Sequence, residues 1–261
     1  MPELPEVETA VRRLRPAVVG RTIVRVRTLH RVVGRTLPAE DASALGGRRV
    51  VAVARRAKYQ LLQLDDGSAL EAHFRMAGDW AFGATGDSDA LRHVRAAIDL
   101  DDGSTVSLTD SRGFATLRRI PPGTPVPAGP PDALDTGFDA AYLARALAGR
   151  RQAIKPALLD QALVGGIGNI YASEALWRAR IDPRTAGGRI GPRRIARLAA
   201  AITETLADAI DHPGRYADGD ATDRLAVYDR AGEPCHRCGR AVVRLVQTGR
   251  STYYCPTCQR R

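Results

Sequence analysis

Apolar residues fall at Val7, Val11, Leu14 and Val18, with charged positions between them. Spacings of four, three and four put them on one helical face. Residues 3–19 are therefore read as a helix, with Gly20 as its stop. Residues 21–29 and 48–64 instead alternate in the strand manner. Asp65-Asp66-Gly67 and Asp101-Asp102-Gly103 each separate two β-rich runs, as hairpin turns do. Residues 1–120 are thus expected to form a β-sandwich carrying one N-terminal helix. Residues 121–137, PPGTPVPAGPPDALDTG, are dense in Pro and Gly and read as a semi-stiff linker. The helical period then returns, over 139–148, 154–164, 169–179 and 191–211. The expected class is α+β: a sandwich over 1–120, a linker, a helical domain over 138–225 and a cysteine-bearing tail over 226–261.

Composition narrows the function. The chain has 261 residues, enough for two domains. Lys plus Arg is 39 against 29 Asp plus Glu, a formal charge of +10. Such a balance favours a polyanionic partner, nucleic acid first, although a merely basic soluble protein shares it. There is no secretory signal, and no apolar run approaches the roughly 20 residues of a membrane span. A soluble cytoplasmic protein is expected, with no membrane partner. Only Lys58 and Lys155 are lysine; the remaining 37 of the 39 (39 − 2) are arginine. A position that keeps Lys can need a compact ammonium able to lose its proton, which Arg cannot supply.

Three stretches carry chemistry. Met1-Pro2-Glu3-Leu4-Pro5-Glu6-Val7-Glu8 packs two prolines and three carboxylates in front of the first helix. Once Met1 is removed, Pro2 is a secondary amine, and α-amino groups titrate near about pH 8. A free amine beside Glu3 or Glu6 can attack an electrophilic carbon while the carboxylate handles protons. The same residues also suit an ordinary helix start. Gly165-Gly166-Ile167-Gly168-Asn169 is a Gly-rich turn feeding a helix, either a phosphate cradle or a plain helix connection. Cys235-x-x-Cys238 and Cys255-x-x-Cys258, with 16 residues between the pairs, use every cysteine of the chain. That spacing fits one four-thiolate structural Zn2+ site, closed to catalysis. Two disulfides are the other use of four cysteines, disfavoured in a reducing compartment. Val242–Val246 and Thr252–Tyr254 flank Thr248-Gly249-Arg250, so the metal would staple a hairpin with Arg250 near its tip.

MPELPEVET, Arg56-Ala57-Lys58-Tyr59, His73-Phe74-Arg75-Met76, Asp110-Ser111-Arg112-Gly113-Phe114, AIKPALLDQALVGGIGNIYASEAL and the cysteine tail together resemble the formamidopyrimidine-DNA glycosylase/endonuclease VIII family, closest to its formamidopyrimidine-DNA glycosylase branch. The resemblance covers most of the chain. It implies a helix–two-turn–helix domain, a C-terminal zinc finger and a monomer acting on double-stranded DNA with damaged bases or abasic sites. Localisation would be cytoplasmic and nucleoid-associated, as in bacteria. It implies that Pro2 is the nucleophile, that Glu3, with Glu6 as a second candidate, moves protons, and that Lys58 lies against phosphate beside them. Met76, Arg112 and Phe114 match the wedge that fills the gap left by an extruded nucleotide. His73 and His93 match family positions, as donors to backbone or phosphate. Lys155, Asn169 and Tyr171 match positions near the DNA backbone or active site, Glu174 an acidic position, and Arg250 a phosphate grip around the flipped nucleotide.

The chain departs from the family pattern in places. Arg75 stands where Gly is common, and Gly113 where a second Arg usually follows the wedge Arg. Residues 214–223, GRYADGDATD, look too short to form the loop that folds over flipped 8-oxoguanine in well-known bacterial members. The resulting reading is a bifunctional glycosylase/AP lyase of base excision repair. It would remove oxidised or ring-opened purines through a Pro2 Schiff base and β,δ-elimination, with weak activity on 8-oxoguanine. The rivals are an endonuclease VIII-like enzyme for oxidised pyrimidines, against which Leu4 speaks, and a non-catalytic DNA-binding paralogue, against which Pro2, Glu3 and Lys58 speak.

Overall fold

The structure, a computed structural model, describes residues 1–84, 92–124, 129–212 and 225–261. The chain divides into two compact units, Met1–Pro127 and Ala128–Arg261.

In the first unit, helix α1 (Leu4–Val18) buries Val7, Val11, Leu14 and Val18, the stripe read from the spacing, and Leu4 with them. Each such side chain contributes about 1.5–3 kcal/mol when fully buried. Eight strands follow: β1 (Ile23–Thr28), β2 (Val50–Arg56), β3 (Tyr59–Leu64), β4 (Ala69–His73), β5 (Gly78–Ala84), β6 (Val94–Leu100), β7 (Ser104–Asp110) and β8 (Thr116–Ile120). They form two antiparallel four-stranded sheets, ordered β1-β6-β7-β5 and β2-β3-β4-β8. Leu14 and Val18 join Leu62, Leu70, Ile98, Leu108 and Leu117 in one core. Inside it the Trp80 indole N–H donates to Gln60 Oε1 at 2.6 Å, linking a strand of each sheet.

Two expectations for this unit need correction. Residues 48–64 are not one strand run: Ala57-Lys58 is a two-residue turn between β2 and β3, with Ala57 at φ +50°. No Gly, Asn or Asp marks it, although those residues take positive φ most cheaply. The sandwich also carries more than one helix. Helices α2 (Arg31–Thr36) and α3 (Ala39–Ala44) lie between β1 and β2. At six residues each they are too short to show a helical period.

The second unit contains α4 (Ala140–Leu147), α5 (Ile154–Leu158), α6 (Asn169–Arg178), α7 (Pro192–Asp211) and a terminal hairpin of β9 (Val243–Gln247) and β10 (Arg250–Tyr254). α5 is five residues long, not the eleven expected over 154–164. The Gln161 side chain explains the early stop. Its Nε2 donates to the carbonyls of Leu159 and Ile167, and its Oε1 accepts the Gly166 N–H. That amide takes over hydrogen bonds a longer helix would have made internally and folds 159–168 into turns. The described end of the expected linker belongs with this unit, since Ala133 N donates to Gly165 O and Gly165 N to Pro131 O. Among the described residues no helix is long and apolar enough to cross a membrane.

Candidate nucleic-acid interface and active site

In the first unit the strand register collects the predicted residues at one end of the sandwich. Tyr59 pairs with His73, His73 with Thr116, and Gly78 with Asp110. The turn at Ala57-Lys58, the β4–β5 loop with Met76 and the β7–β8 loop with Arg112 and Phe114 therefore emerge side by side. α1 is tied to the same end, because Arg55 Nε donates to Glu8 Oε2 at 2.9 Å while its Nη1 donates to Ala57 O. Those ion pairs hold the Glu8 carboxyl low against the upward push of burial. They make Glu8 a clamp rather than an acid.

Pro2 is half-buried just ahead of α1, and Glu3 is the N-cap, only 2 % exposed. Glu3 and Glu6 form a capping box: the Glu3 N–H donates to Glu6 Oε2 at 2.8 Å, and the Glu3 side chain faces the Glu6 N–H in return. The proline nitrogen thus sits on a fixed helix start. Lys58 is 6 % exposed, although it stands in a turn. Beside it, His73 has its pKa pushed down to about 4, first by burial and then by the charges of Arg75 and Lys58. Its Nδ1 accepts the Arg75 N–H at 2.9 Å, so the neutral ring carries its proton on Nε2 and is a donor there.

The wedge candidates face solvent: Met76 is 38 % exposed and Phe114 49 %. The Arg112 guanidinium lies 5.4 Å from the Phe114 ring centroid, within cation–π range. Asp110, which the sequence reading did not single out, builds their loop. Its carboxylate accepts the N–H groups of Arg112, Phe114 and Ala115. Those backbone donors outweigh burial and keep it ionised. The short acceptor two residues before Arg112 was the available signal. The two single-residue departures from the family pattern sit at positive φ, Arg75 at +56° and Gly113 at +68°. Gly at position 75 would be free of strain there; Arg75 bears it. A Cβ at Gly113 would come within 2.9 Å of His30 Cε1. The imidazole of His30 occupies the space that a side chain at 113 would need. His93 is exposed at φ +64°.

In the second unit Lys155 is 1 % exposed, and its Nζ donates to Ser251 O at 2.8 Å and Thr252 Oγ1 at 3.0 Å. Asn169 Nδ2 donates to the same Ser251 carbonyl, and Tyr171 is fully buried. Lys155 and Asn169 therefore hold the β9–β10 hairpin from beneath, and the exposed side chain they present is Arg250. The turn before it, Thr248-Gly249, has both residues at positive φ, the twist that two-residue hairpins favour. Glu174 is a buried anchor. Its carboxylate accepts the N–H groups of Ala226, Val227 and Tyr228, and burial still pushes its pKa up. Residues 214–223, expected to form the short lid, lie outside the described residues.

The four cysteine Sγ atoms lie within 4.8 Å of one another. Cys235–Cys258 is 3.9 Å and Cys238–Cys255 3.5 Å. Tetrahedral zinc with bonds of ~2.3 Å needs Sγ edges of about 3.8 Å, and disulfides need ~2.05 Å. The donor set therefore fits one structural zinc. Trp177 Nε1 donates to Cys235 Sγ, and Arg237 stacks 3.7 Å above the Trp177 ring. This outer layer was not legible in the spacing.

A sandwich with Met76, Arg112 and Phe114 on loops at one end, and a helical body ending in a four-thiolate finger, are the parts of the helix–two-turn–helix class of DNA glycosylases. Family comparison agrees along the chain. Residues 1–117 match the formamidopyrimidine-DNA glycosylase N-terminal domain, 130–218 its H2TH domain, and 232–261 the zinc finger found in FPG and IleRS. The formamidopyrimidine-DNA glycosylase of Chloroflexus aurantiacus is 44% identical over 272 residues, covering 99% of this chain and 98% of that protein. That of Rhizorhabdus wittichii is 41% identical over the whole of both. The MutM (Fpg) crystal structure from Thermus thermophilus superposes at TM-score 0.86 with 36% identity, covering 99% and 98% of the two chains. A Lactococcus lactis Fpg complex with Fapy-dG-containing DNA superposes at 0.91 with 30% identity, covering 99% and 100%. The chain belongs to the formamidopyrimidine-DNA glycosylase family.

Proposed function

We propose that this chain is a bifunctional DNA glycosylase and AP lyase of base excision repair. It works in the cytoplasm on chromosomal DNA and removes oxidised and ring-opened purines. The observation that carries the assignment of chemistry is the position of Pro2. It directly precedes the Glu3 N-cap of a docked helix, and that helix is clamped to the sandwich end bearing Lys58 and the wedge loops.

After loss of Met1 the Pro2 amine attacks C1′ of the damaged nucleotide, and the C1′–base bond breaks with its electron pair leaving on the base. Glu3 moves the protons. The amine loses its proton, its lone pair forms the C1′=N bond as C1′–O4′ breaks, and O4′ is protonated, which opens the sugar to the iminium. The iminium acidifies the C2′ proton, and its removal expels the 3′ phosphate. A second elimination expels the 5′ phosphate. Lys58 and His73 Nε2–H supply positive charge and a hydrogen-bond donor toward phosphate, and Arg250 a guanidinium fork. Met76, Arg112 and Phe114 occupy the space the extruded nucleotide leaves.

Borohydride trapping on abasic-site duplex tests the nucleophile. Pro2→Gly, or retention of Met1, is expected to lower the trapped adduct by at least about a hundredfold, the scale of losing an activated nucleophile. Trapping that survives Pro2→Gly and vanishes in Lys58→Ala would make lysine the amine.

A further inference from the structure

A second cationic feature lies in the helical unit, away from the residues assigned to DNA. Arg180, Arg194, Arg197, Arg237, Arg260 and Arg261 line a cleft of about 630 Å³ beside Cys258. It sits at the C-terminal end of α6. Lys155, Asn169 and Ser251 mark the other end, about 15 Å along a ten-residue helix.

Three of these arginines are held in place by backbone. Arg194 Nη2 donates to Arg260 O at 2.6 Å, Arg197 Nε to Ala179 O at 2.7 Å, and Arg237 Nη1 to Trp177 O at 2.6 Å. Capping the carbonyls at the end of α6 accounts for Arg197 and Arg237. It does not account for six arginines. Each guanidinium carries five N–H donors, and these bonds use one or two of them. Among the described residues no Asp or Glu side chain lines the cleft, and the one carboxylate there is the terminal one of Arg261. Asp182 is bound by Arg184 at 2.6 Å and reaches Arg261 only at 3.9 Å. Zinc held by four thiolates would add two net negative charges and the Arg261 carboxylate one more, leaving the six guanidiniums three charges in excess.

Like charges gathered round one recess repel, and a ligand bearing several anionic groups relieves that repulsion. Planar forks that keep free donors match phosphate oxygens bidentately. A recess of this size excludes the width of a duplex but admits a few linked phosphates. We propose that this cleft is a second anion site, separate from the DNA-binding face, that takes a short chain of phosphates, either inorganic polyphosphate or the tail of a nucleoside polyphosphate. The inference does not depend on the Pro2 chemistry.

Calorimetric titration of the zinc-loaded full chain with inorganic tripolyphosphate tests it. One site per chain is expected, with orthophosphate at least about tenfold weaker because it meets fewer forks. Arg194→Ala/Arg261→Ala should weaken tripolyphosphate at least about tenfold with an unchanged melting temperature and unchanged borohydride trapping. Titrating wild type already cross-linked to abasic-site duplex by borohydride covers the case of a misfolded variant: tripolyphosphate binding should persist. ATP binding equal to tripolyphosphate identifies a site for phosphates alone, and tighter ATP identifies a nucleotide site. The proposal falls if duplex abolishes tripolyphosphate binding, if orthophosphate binds equally well, or if a folded double variant binds like wild type. It also falls if the cross-linked complex takes up a second duplex through Arg194 and Arg261.

Discussion

At the scale of single residues, strain and burial separate the working positions from the rest. Gly113 is required twice over, by φ +68° and by His30 Cε1 at 2.9 Å from any added Cβ. Gly113→Ala should cost about 1–3 kcal/mol, from the left-handed backbone and the clash together. In a His30→Gly background only the backbone part, roughly 1–2 kcal/mol, should remain. Urea melts of the four proteins close the cycle, and additive costs would show that the imidazole is not the obstacle. His73 carries a pH signature. Its folded pKa, about 4, lies below the 6.5 of an unperturbed histidine, with burial the main cause. The unfolded chain therefore takes up a proton that the folded one refuses, so this contribution is complete above pH 6.5 and is lost as pH falls toward 4. Wild type should lose more stability than His73→Gln between pH 7 and 4.5. Parallel slopes in urea melts at the two pH values would remove His73 from that account.

At the scale of elements, the hairpin that presents Arg250 is too small to hold itself. A two-stranded ribbon is marginal in water. Here it is fastened at its base by the cysteine cluster and from beneath by Lys155 Nζ and Asn169 Nδ2. Because structural zinc supplies folding free energy in such modules, chelation or Cys255→Ser should unfold β9–β10 and weaken duplex binding by about tenfold or more. The α1–sandwich unit should keep its own melting transition. Loss of zinc, verified by metal analysis, with full DNA affinity would separate the finger from DNA grip.

At the scale of the whole molecule, a formal charge of +10 makes affinity a matter of counterion release, so binding should fall steeply with salt. Lesion choice is also set at this scale. Ring-opened purines and abasic sites pair poorly and cost less to extrude, whereas 8-oxoguanine differs from guanine by little more than one N–H that a placed acceptor must read. The segment 214–223 is short and carries four charged residues, Arg215, Asp218, Asp220 and Asp223. Single-turnover excision is therefore expected to be at least about tenfold slower on 8-oxoguanine than on formamidopyrimidine in matched duplexes. Equal or faster removal of 8-oxoguanine would mean that another segment reads the N–H.

What the chain determined by itself is what depends on near neighbours. The α1 stripe follows from a spacing of three and four, the thiolate cluster from two C-x2-C pairs, and Arg250 at a hairpin tip from Thr248-Gly249. Tertiary structure decided the rest, because long-range register and burial leave no local mark. The turn at Ala57-Lys58 has no turn-forming residue, and pairing of β2 with β3 forces Ala57 into positive φ. Helices α2 and α3 exist because the core receives Val33, Leu37 and Leu45, not because six residues show a period. Met76 and Phe114 were equally good core residues by type. Their loops come to one end of the sandwich only when His73 pairs with Thr116 and Gly78 with Asp110. The chain marks Lys155 as a retained lysine but not as a buried one; it is sealed under the hairpin, where the Ser251 carbonyl and the Thr252 hydroxyl make burial of an ammonium tolerable. Nor could arginines spread from position 180 to 261 be read as one cleft until α6, α7 and the finger had folded against each other.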